Sequence, residues 1–386
     1  MKILFLSKWY PNKYDAMAGL FVRKHAQAAA RVCDVTVMYV FTDPRNQSVE
    51  ITDQQKDGVR EIIVAYSASS IRWLHALSSA IYFLLAYYKG FKYLLKQLKW
   101  RPDVIHVNVL TRHGVIAYLM KKLYHIPYVV TEHWSRYLPQ NFQFTGYLRR
   151  AITSHVVTHA AAVMPVSINL KQAMEAQGLH NANYVIINNV VDDFFYDQPH
   201  VLAAHSKKRL LHVSCFDDKA KNVSGLLRSI RQLHHKRIDF ELIIVGTGLD
   251  FDMATTLTKT LQLTDCVTFV GEQTPQQVKE WFCTSDLFVL FSNYENAPVV
   301  LSESVAVGVP AIATSVGGIP EMINDSNGRL VISGNEVQLT ETIDWMLDHL
   351  DSFDKQIIKD QAYKYSYNYV GNQLCEIYQA AFNSTR

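Results

Sequence analysis

Short apolar runs recur along the whole chain, and segments with helical spacing lie between them. In the first half the runs fall at residues 2–7, 35–40, 104–107, 128–131, 162–166 and 184–187. In the second half they fall at 209–214, 241–245, 267–270, 287–291 and 311–313. They are β-branched or aromatic, and apolar at nearly every position. A strand covered by helices on both faces reads this way. Between two of them, Leu226, Leu227, Ile230 and Leu233 share one helical face. The alternation predicts an α/β fold built on doubly wound parallel sheets.

At 386 residues the chain is long enough for two such domains. Residues 192–208 lack a long apolar period and end in Ser206-Lys207-Lys208. A domain boundary is expected there, between a first domain over 1–195 and a second over 205–365. Residues from about 366 to 386 are a candidate to pack back onto the first domain. Two doubly wound domains would face a cleft at the carboxyl ends of their strands, where ligands of open sheets bind. There is no run of eighteen apolar residues to span a bilayer, and the opening run is too short for a signal-peptide core. The five cysteines are scattered without a CxxC pair, so neither a zinc site nor a disulfide framework is indicated. A reducing, cytoplasmic location is expected.

Charge is distributed unevenly. Residues 1–200 carry 22 Lys and Arg against 13 Asp and Glu, whereas residues 201–386 carry 16 against 22. Residues 71–101 contain no acid and six bases: Arg72, Lys89, Lys92, Lys96, Lys99 and Arg101. Leu74, Leu77, Ile81, Leu84, Leu85, Tyr88, Phe91, Leu95 and Leu98 repeat there at helical spacing, beside a lysine stripe. Two readings stand: a helix lying on an anionic membrane surface, or a domain-surface helix with solvated lysines. No nucleic-acid-binding motif accompanies these charges, so a nucleic-acid partner is not expected.

Residues 292–321, SNYENAPVVLSESVAVGVPAIATSVGGIPE, are the most informative segment. They follow the apolar run at 287–291. Pro298 suits the first turn of a helix over Val299–Val307. The N–H groups of Val299, Val300 and Leu301 would then be unpaired donors, suited to a phosphate. Glu303, a little over one turn in, can accept two hydrogen bonds from a vicinal diol. Glu295, before the helix, can accept from hydroxyls of a second sugar. Spacing alone leaves open a helix carrying two solvated glutamates.

This segment resembles the C-terminal signature of family 4 retaining glycosyltransferases (group 1 glycosyltransferases), which have the GT-B fold of two Rossmann-like domains. The pieces stand in order: Glu295, seven residues, Glu303, then Gly308-Val309-Pro310-Ala311 and Gly317-Gly318-Ile319-Pro320-Glu321. The resemblance implies that Glu303 holds the donor ribose and Glu295 the donor sugar. Many members have Gly-Phe-Gly after the first Glu, where this chain has Asn296-Ala297-Pro298. Pro298 donates no hydrogen bond, and Asn296 offers a side-chain amide. Lys221 resembles the family's lysine that contacts the donor diphosphate. The arginine that usually precedes it is missing, since Ser214, Cys215 and Phe216 stand there; Lys219 is a candidate substitute.

Other family positions follow. Gly246-Thr247-Gly248 ends a strand run at the place of the donor-side loop, and residues 267–271, with Gly271, stand where the family contacts the base. Gly19, in the long loop after the first run, matches a glycine that approaches the donor phosphate. His133, in Thr131-Glu132-His133, resembles a residue near the transferring sugar. An imidazole there can donate to a hydroxyl or help shuttle the acceptor proton. Residues 187–192 resemble the family's interdomain turn, making Asn189 and Asp192 hinge or acceptor residues.

Together these readings imply a sugar-nucleotide-dependent hexosyltransferase, retaining and metal-independent, with no cofactor. Its donor would be UDP- or GDP-linked. Its acceptor would be a glycan or a lipid-linked sugar in polysaccharide or glycolipid synthesis. The expected location is cytoplasmic, with peripheral contact to the inner membrane face as an option. The competing reading is a non-catalytic nucleotide- or glycan-binding protein of the same fold.

Overall fold

In the computed structural model the apolar runs become the central strands of two α/β units. The structure describes residues 1–43, 45, 48–67, 75–110, 112–139, 141, 143–197 and 206–384, with the side chains of 75–77 outside that description. One unit comprises Met1–Val190 with Tyr367–Arg386, the other Val191–Ser366. The sequence reading runs the first domain to residue 195. The division falls earlier because the Val191 N–H donates to the Tyr365 carbonyl, 3.0 Å away, and Phe195 is buried in the second unit's core. Residues 198–205 of the expected linker lie outside the described residues.

The first unit runs β1 (Lys2–Ser7), α1 (Leu20–Ala30), β2 (Asp34–Thr42), β3 (Glu50–Lys56), β4 (Val59–Tyr66), α2 (His75–Lys92) and β5 (Val104–Asn108). It continues with α3 (Arg112–Tyr124), β6 (Tyr128–Glu132), α4 (Tyr147–His159), β7 (Ala162–Pro165) and α5 (Ile168–Ala176). Among the described residues its sheet is ordered β3-β4-β2-β1-β5-β6-β7. All pairs are parallel except β3–β4, an antiparallel hairpin that an all-parallel expectation misses. Asp57 and Gly58 form its turn, with φ of 49° and 79°. Positive φ at both positions gives the primed turn that matches strand twist. The run at 184–187 does not become a strand: Tyr184 makes one bridge to Val163.

The second unit runs β8 (Lys208–Val213), α6 (Asp218–Lys221), α7 (Val223–His234), β9 (Phe240–Val245), α8 (Phe251–Thr260) and β10 (Val267–Gly271). Then come α9 (Pro275–Cys283), β11 (Leu287–Leu290), α10 (Val299–Val307), β12 (Ala311–Thr314), β13 (Gly328–Val331), α11 (Glu336–Asp348) and α12 (Lys355–Asp360). Its parallel sheet is ordered β10-β9-β8-β11-β12-β13, which reverses direction between β8 and β11. Such a reversal leaves a crevice outside the strand ends, where an open sheet binds its ligand. In the first unit the reversal lies between β1 and β5.

Helix α13 (Tyr367–Asn383) returns to the first unit and packs on α1. Its Tyr378 hydroxyl lies 2.7 Å from Nδ1 of the buried His106, whose Nε2 meets Thr131 Oγ1 at 2.7 Å. The bond ties the C-terminal helix into the sheet.

Helix α2 carries the apolar and lysine stripes of residues 71–101. Its buried side is Phe83, Ala86, Tyr87, Gly90 and Phe91, whereas Ile81, Leu84, Leu85 and Tyr88 are between 43% and 65% exposed. The helix is apolar on both sides, so a single stripe could not tell which one faces the sheet. Lys89, Lys92 and Lys96 are exposed as well. Arg72 and Leu74 lie outside the described residues. Among the described residues, no helix is long and apolar enough to cross a membrane.

A Cβ at Gly371 would sit 2.3 Å from the Ala28 carbonyl oxygen. Gly371→Ala is therefore expected to destabilise the first unit by about 1–3 kcal/mol, the usual cost of overpacking. Calorimetric unfolding compared with wild type measures it.

Candidate active site

The second unit's reversal point brings two loops together. One follows β8 and ends in the short helix α6, whose last residue is Lys221. The other follows β11 and carries Glu295 into α10. Their backbones are joined, since Asn293 N–H donates to Ala220 O at 2.8 Å and Asn293 Nδ2 to Lys219 O at 3.1 Å. Across this seam Lys221 Nζ meets Glu295 Oε1 at 2.5 Å. Ser292 Oγ donates to the same oxygen at 2.9 Å, and Thr314 Oγ1 donates to Ser292 O at 2.6 Å. Burial by itself would lower the Lys221 pKa. The charge and hydrogen bond of Glu295 more than offset it and hold the ammonium above its ordinary value.

Beyond this pair α10 begins at Val299, directly after Pro298. One expected donor is already used: Leu301 N–H turns back to Pro298 O at 3.1 Å. The N–H groups of Val299 and Val300 have no acceptor among the described residues. Glu303 is buried within α10, as is Pro298 before it, and Asn296 and Ala297 are partly exposed. Lys219 is exposed, and two residues from Lys221 it is not a neighbour of it on a helical face. Cys215 is exposed too.

The glycines let backbone approach backbone closely. A Cβ on Gly246 (φ 123°) would lie 1.9 Å from the Ser214 carbonyl oxygen, and one on Gly248 would meet the Phe216 backbone at 2.6 Å. The close approach they permit is to the chain's own β8–α6 loop. Phe216 N–H donates to Thr247 O there, at 2.9 Å. Gly317 likewise presses on Glu295, whose carbonyl oxygen would be 1.6 Å from an added Cβ. The Gly317-Gly318 turn thus fixes the backbone that carries the carboxylate. Gly271 (φ 72°) has open space around it.

In the first unit Gly19 (φ 63°) precedes α1, and its missing side chain makes room for the Trp9 carbonyl, 2.3 Å from an added Cβ. His133 follows β6 and hydrogen-bonds with Asn189, two positions that sequence reasoning treats separately. Burial, and then the charges of His25 and His106, keep its pKa well below the ordinary histidine value. The imidazole is neutral at physiological pH. His25, fully buried with Nε2 2.8 Å from Asn188 O, is depressed by burial to about 4. Asp192 belongs to the second unit, where its carbonyl accepts from Phe195 N–H at 3.0 Å.

The first half of the chain, residues 22–190, matches the profile described as "Glycosyl transferase 4-like domain". Residues 197–364 match "Glycosyl transferases group 1". The chain belongs to the group 1 glycosyltransferases of family 4. Relatives of this glycosyltransferase include N-acetyl-alpha-D-glucosaminyl L-malate synthase of Bacillus anthracis, 31% identical over 57% of this chain and 58% of that protein. The putative teichuronic acid biosynthesis glycosyltransferase TuaC of Bacillus subtilis is 23% identical over 89% of this chain and 88% of its own. Among solved structures, sucrose-phosphate synthase of Thermosynechococcus elongatus superposes with a TM-score of 0.77 at 18% identity, covering 100% of both chains. Anabaena HepE in complex with UDP gives 0.73 at 17% identity, over 97% and 99%. These neighbours give the fold as GT-B.

Ser292, Thr314 and Gly317 hold Glu295 without having stood out as ligand-like residues in the sequence. His25 had no sequence signal, being one of fifteen histidines.

Removing one partner of the buried pair strands the other. Glu295→Gln is expected to destabilise the second unit by about 3 kcal/mol. The double variant Lys221→Met/Glu295→Gln should recover part of that loss, as denaturant unfolding of the four-member cycle would read.

Proposed function

We propose that this glycosyltransferase moves a hexose, with retention at the anomeric carbon and without a metal, from a UDP- or GDP-linked donor to a glycan or lipid-linked acceptor. The observation that carries this reading is the Lys221–Glu295 pair beside the α10 N-terminus at the second unit's reversal point. The family signature and the UDP bound in the solved HepE structure support it.

Each residue has a physical task. The Glu303 carboxylate accepts from the two ribose hydroxyls. The N–H groups of Val299 and Val300, and the Lys221 ammonium, face the diphosphate. Charge grows on the leaving phosphate as its bond to the anomeric carbon breaks, and a fixed cation and amide dipoles stabilise that charge without reorganisation. Glu295 accepts from hydroxyls of the donor sugar, with Asn296 beside it. The acceptor oxygen bonds to the anomeric carbon on the face the diphosphate leaves, and its proton passes to the leaving phosphate. Gly271 lies next to the base. Gly246 and Gly248 shape the loop under the diphosphate. Neutral His133, oriented by Asn189, can donate to one sugar hydroxyl or accept from another. Asn189 and Asp192 flank the crossing between units.

The exposed Ile81, Leu84, Leu85 and Tyr88 on α2, with Lys89, Lys92 and Lys96, suit an anionic bilayer. A lipid-linked acceptor would give that contact a purpose.

A thermal-shift panel with UDP, GDP and their sugars is expected to show one base raising the midpoint. Glu303→Ala and Lys221→Ala should each weaken that nucleotide by about tenfold or more, the cost of a charge-assisted contact. Transfer in the same variants should fall while chelators leave wild type unaffected. Undiminished transfer would refute the assignment, and binding without transfer or donor hydrolysis would favour the non-catalytic reading. On vesicles, co-sedimentation should require anionic lipid and fall in a Lys89/Lys92/Lys96→Gln variant. Binding that survives those changes would count against contact through the α2 lysines, and no binding to anionic vesicles would count against membrane contact.

A further inference from the structure

The first unit has its own reversal point, between β1 and β5. Lys8 follows β1 directly, its N–H donating to Asn108 O at the end of β5, 3.4 Å away. Its ammonium rests on aromatic faces, 3.5 Å from the Trp134 ring centre and 4.8 Å from that of Trp9. Among the described residues nothing accepts a hydrogen bond from it. The one carboxylate nearby, Glu132, is buried and already taken. Its oxygens receive the N–H groups of Leu110, His133 and Trp134, each at 2.9 Å.

More positive charge flanks these strand ends: Arg136 and Arg149 act on Lys8, and Arg112, 5.7 Å from the Phe83 ring centre, acts with Lys8 on His113. Arg112 opens α3, exposed and without an ion-pair partner among the described residues. Burial first, and then the charges of Lys8 and Arg112, depress the buried His113 to about 3. Arg136 lies over the Trp134 ring at 4.2 Å. Asn108, wholly buried at the strand end, has neither side-chain amide atom hydrogen-bonded among the described residues. A buried orphan amide calls for a water or a ligand.

We propose that this crevice, with Lys8 and Arg112 as its cations, binds the oxyanion of a negatively charged sugar acceptor, a carboxylate or a phosphate. The proposal rests on the transferase reading for the word acceptor. Unmatched cations at a sheet's reversal point are what an anion needs there. Burial, followed by the charges of Arg136 and Arg149 and against that of Glu132, lowers Lys8 to about 8. A bound oxyanion would favour the charged ammonium.

The test is titration calorimetry of the full chain in saturating UDP or GDP, with glucose, glucuronate and glucose 6-phosphate as probes. One or both anionic sugars are expected to bind about tenfold more tightly than glucose, as one charge-assisted hydrogen bond would provide. Whichever binds tighter identifies the anion as carboxylate or phosphate. Lys8→Met and Arg112→Met should each erase most of that preference while keeping the nucleotide-induced thermal shift. Above pH 8 the wild-type preference should decline, and Lys8→Arg should retain it. Equal affinity for all three sugars, or a preference intact in both methionine variants, overturns the proposal. Loss of the nucleotide shift in wild type would refute the transferase reading separately, and the sugar preference could still be measured.

Discussion

The ion pair between Lys221 and Glu295 organises the second unit's strand ends. It joins the loop after β8 to the loop after β11, and those strands are neighbours only because the sheet reverses there. Two charges out of water are expensive, so the pair persists only where each has further partners. Ser292 supplies one on the carboxylate, and Thr314 at the end of β12 anchors Ser292 in turn. Three strand ends thus converge on one carboxylate. Under the proposed function, a nucleotide diphosphate arriving there would meet a lysine already held in position.

Backbone contact against backbone is the second constraint. Gly246, Gly248 and Gly317 each lie where a side chain would strike a carbonyl or amide of a neighbouring loop. Their freedom lets the loops at these strand ends pack closely against one another. The first unit solves the same problem with a carboxylate. Glu132 collects three N–H groups and so shapes the turn that presents His133 and Trp134.

Much of this was legible in the residues. Runs such as 287–291 and 311–313 are apolar at every position, because strands covered on both faces admit little else. The α10 start was readable from Pro298, and the order Glu295, Glu303, Gly308, Gly317 carried the family. The hairpin of β3 and β4 was harder to read. β3 is EITDQQK, half solvated at a sheet edge, and only Asp57-Gly58 signalled its turn. Helix α2 was legible as a helix with an apolar and a lysine stripe, but with apolar residues on both sides periodicity could not choose the buried one.

The sequence by itself determined the alternation of strands and helices, the family, and the residue types able to meet a sugar nucleotide. Those are local properties: period, punctuation and short-range spacing. Only the tertiary structure decided that Lys221 pairs with Glu295, that His133 pairs with Asn189, and that Lys8 lies beside two tryptophans without an acceptor among the described residues. Such pairings join residues dozens of positions apart. They depend on which strands lie side by side and on what each loop has already satisfied, and spacing along the chain encodes neither.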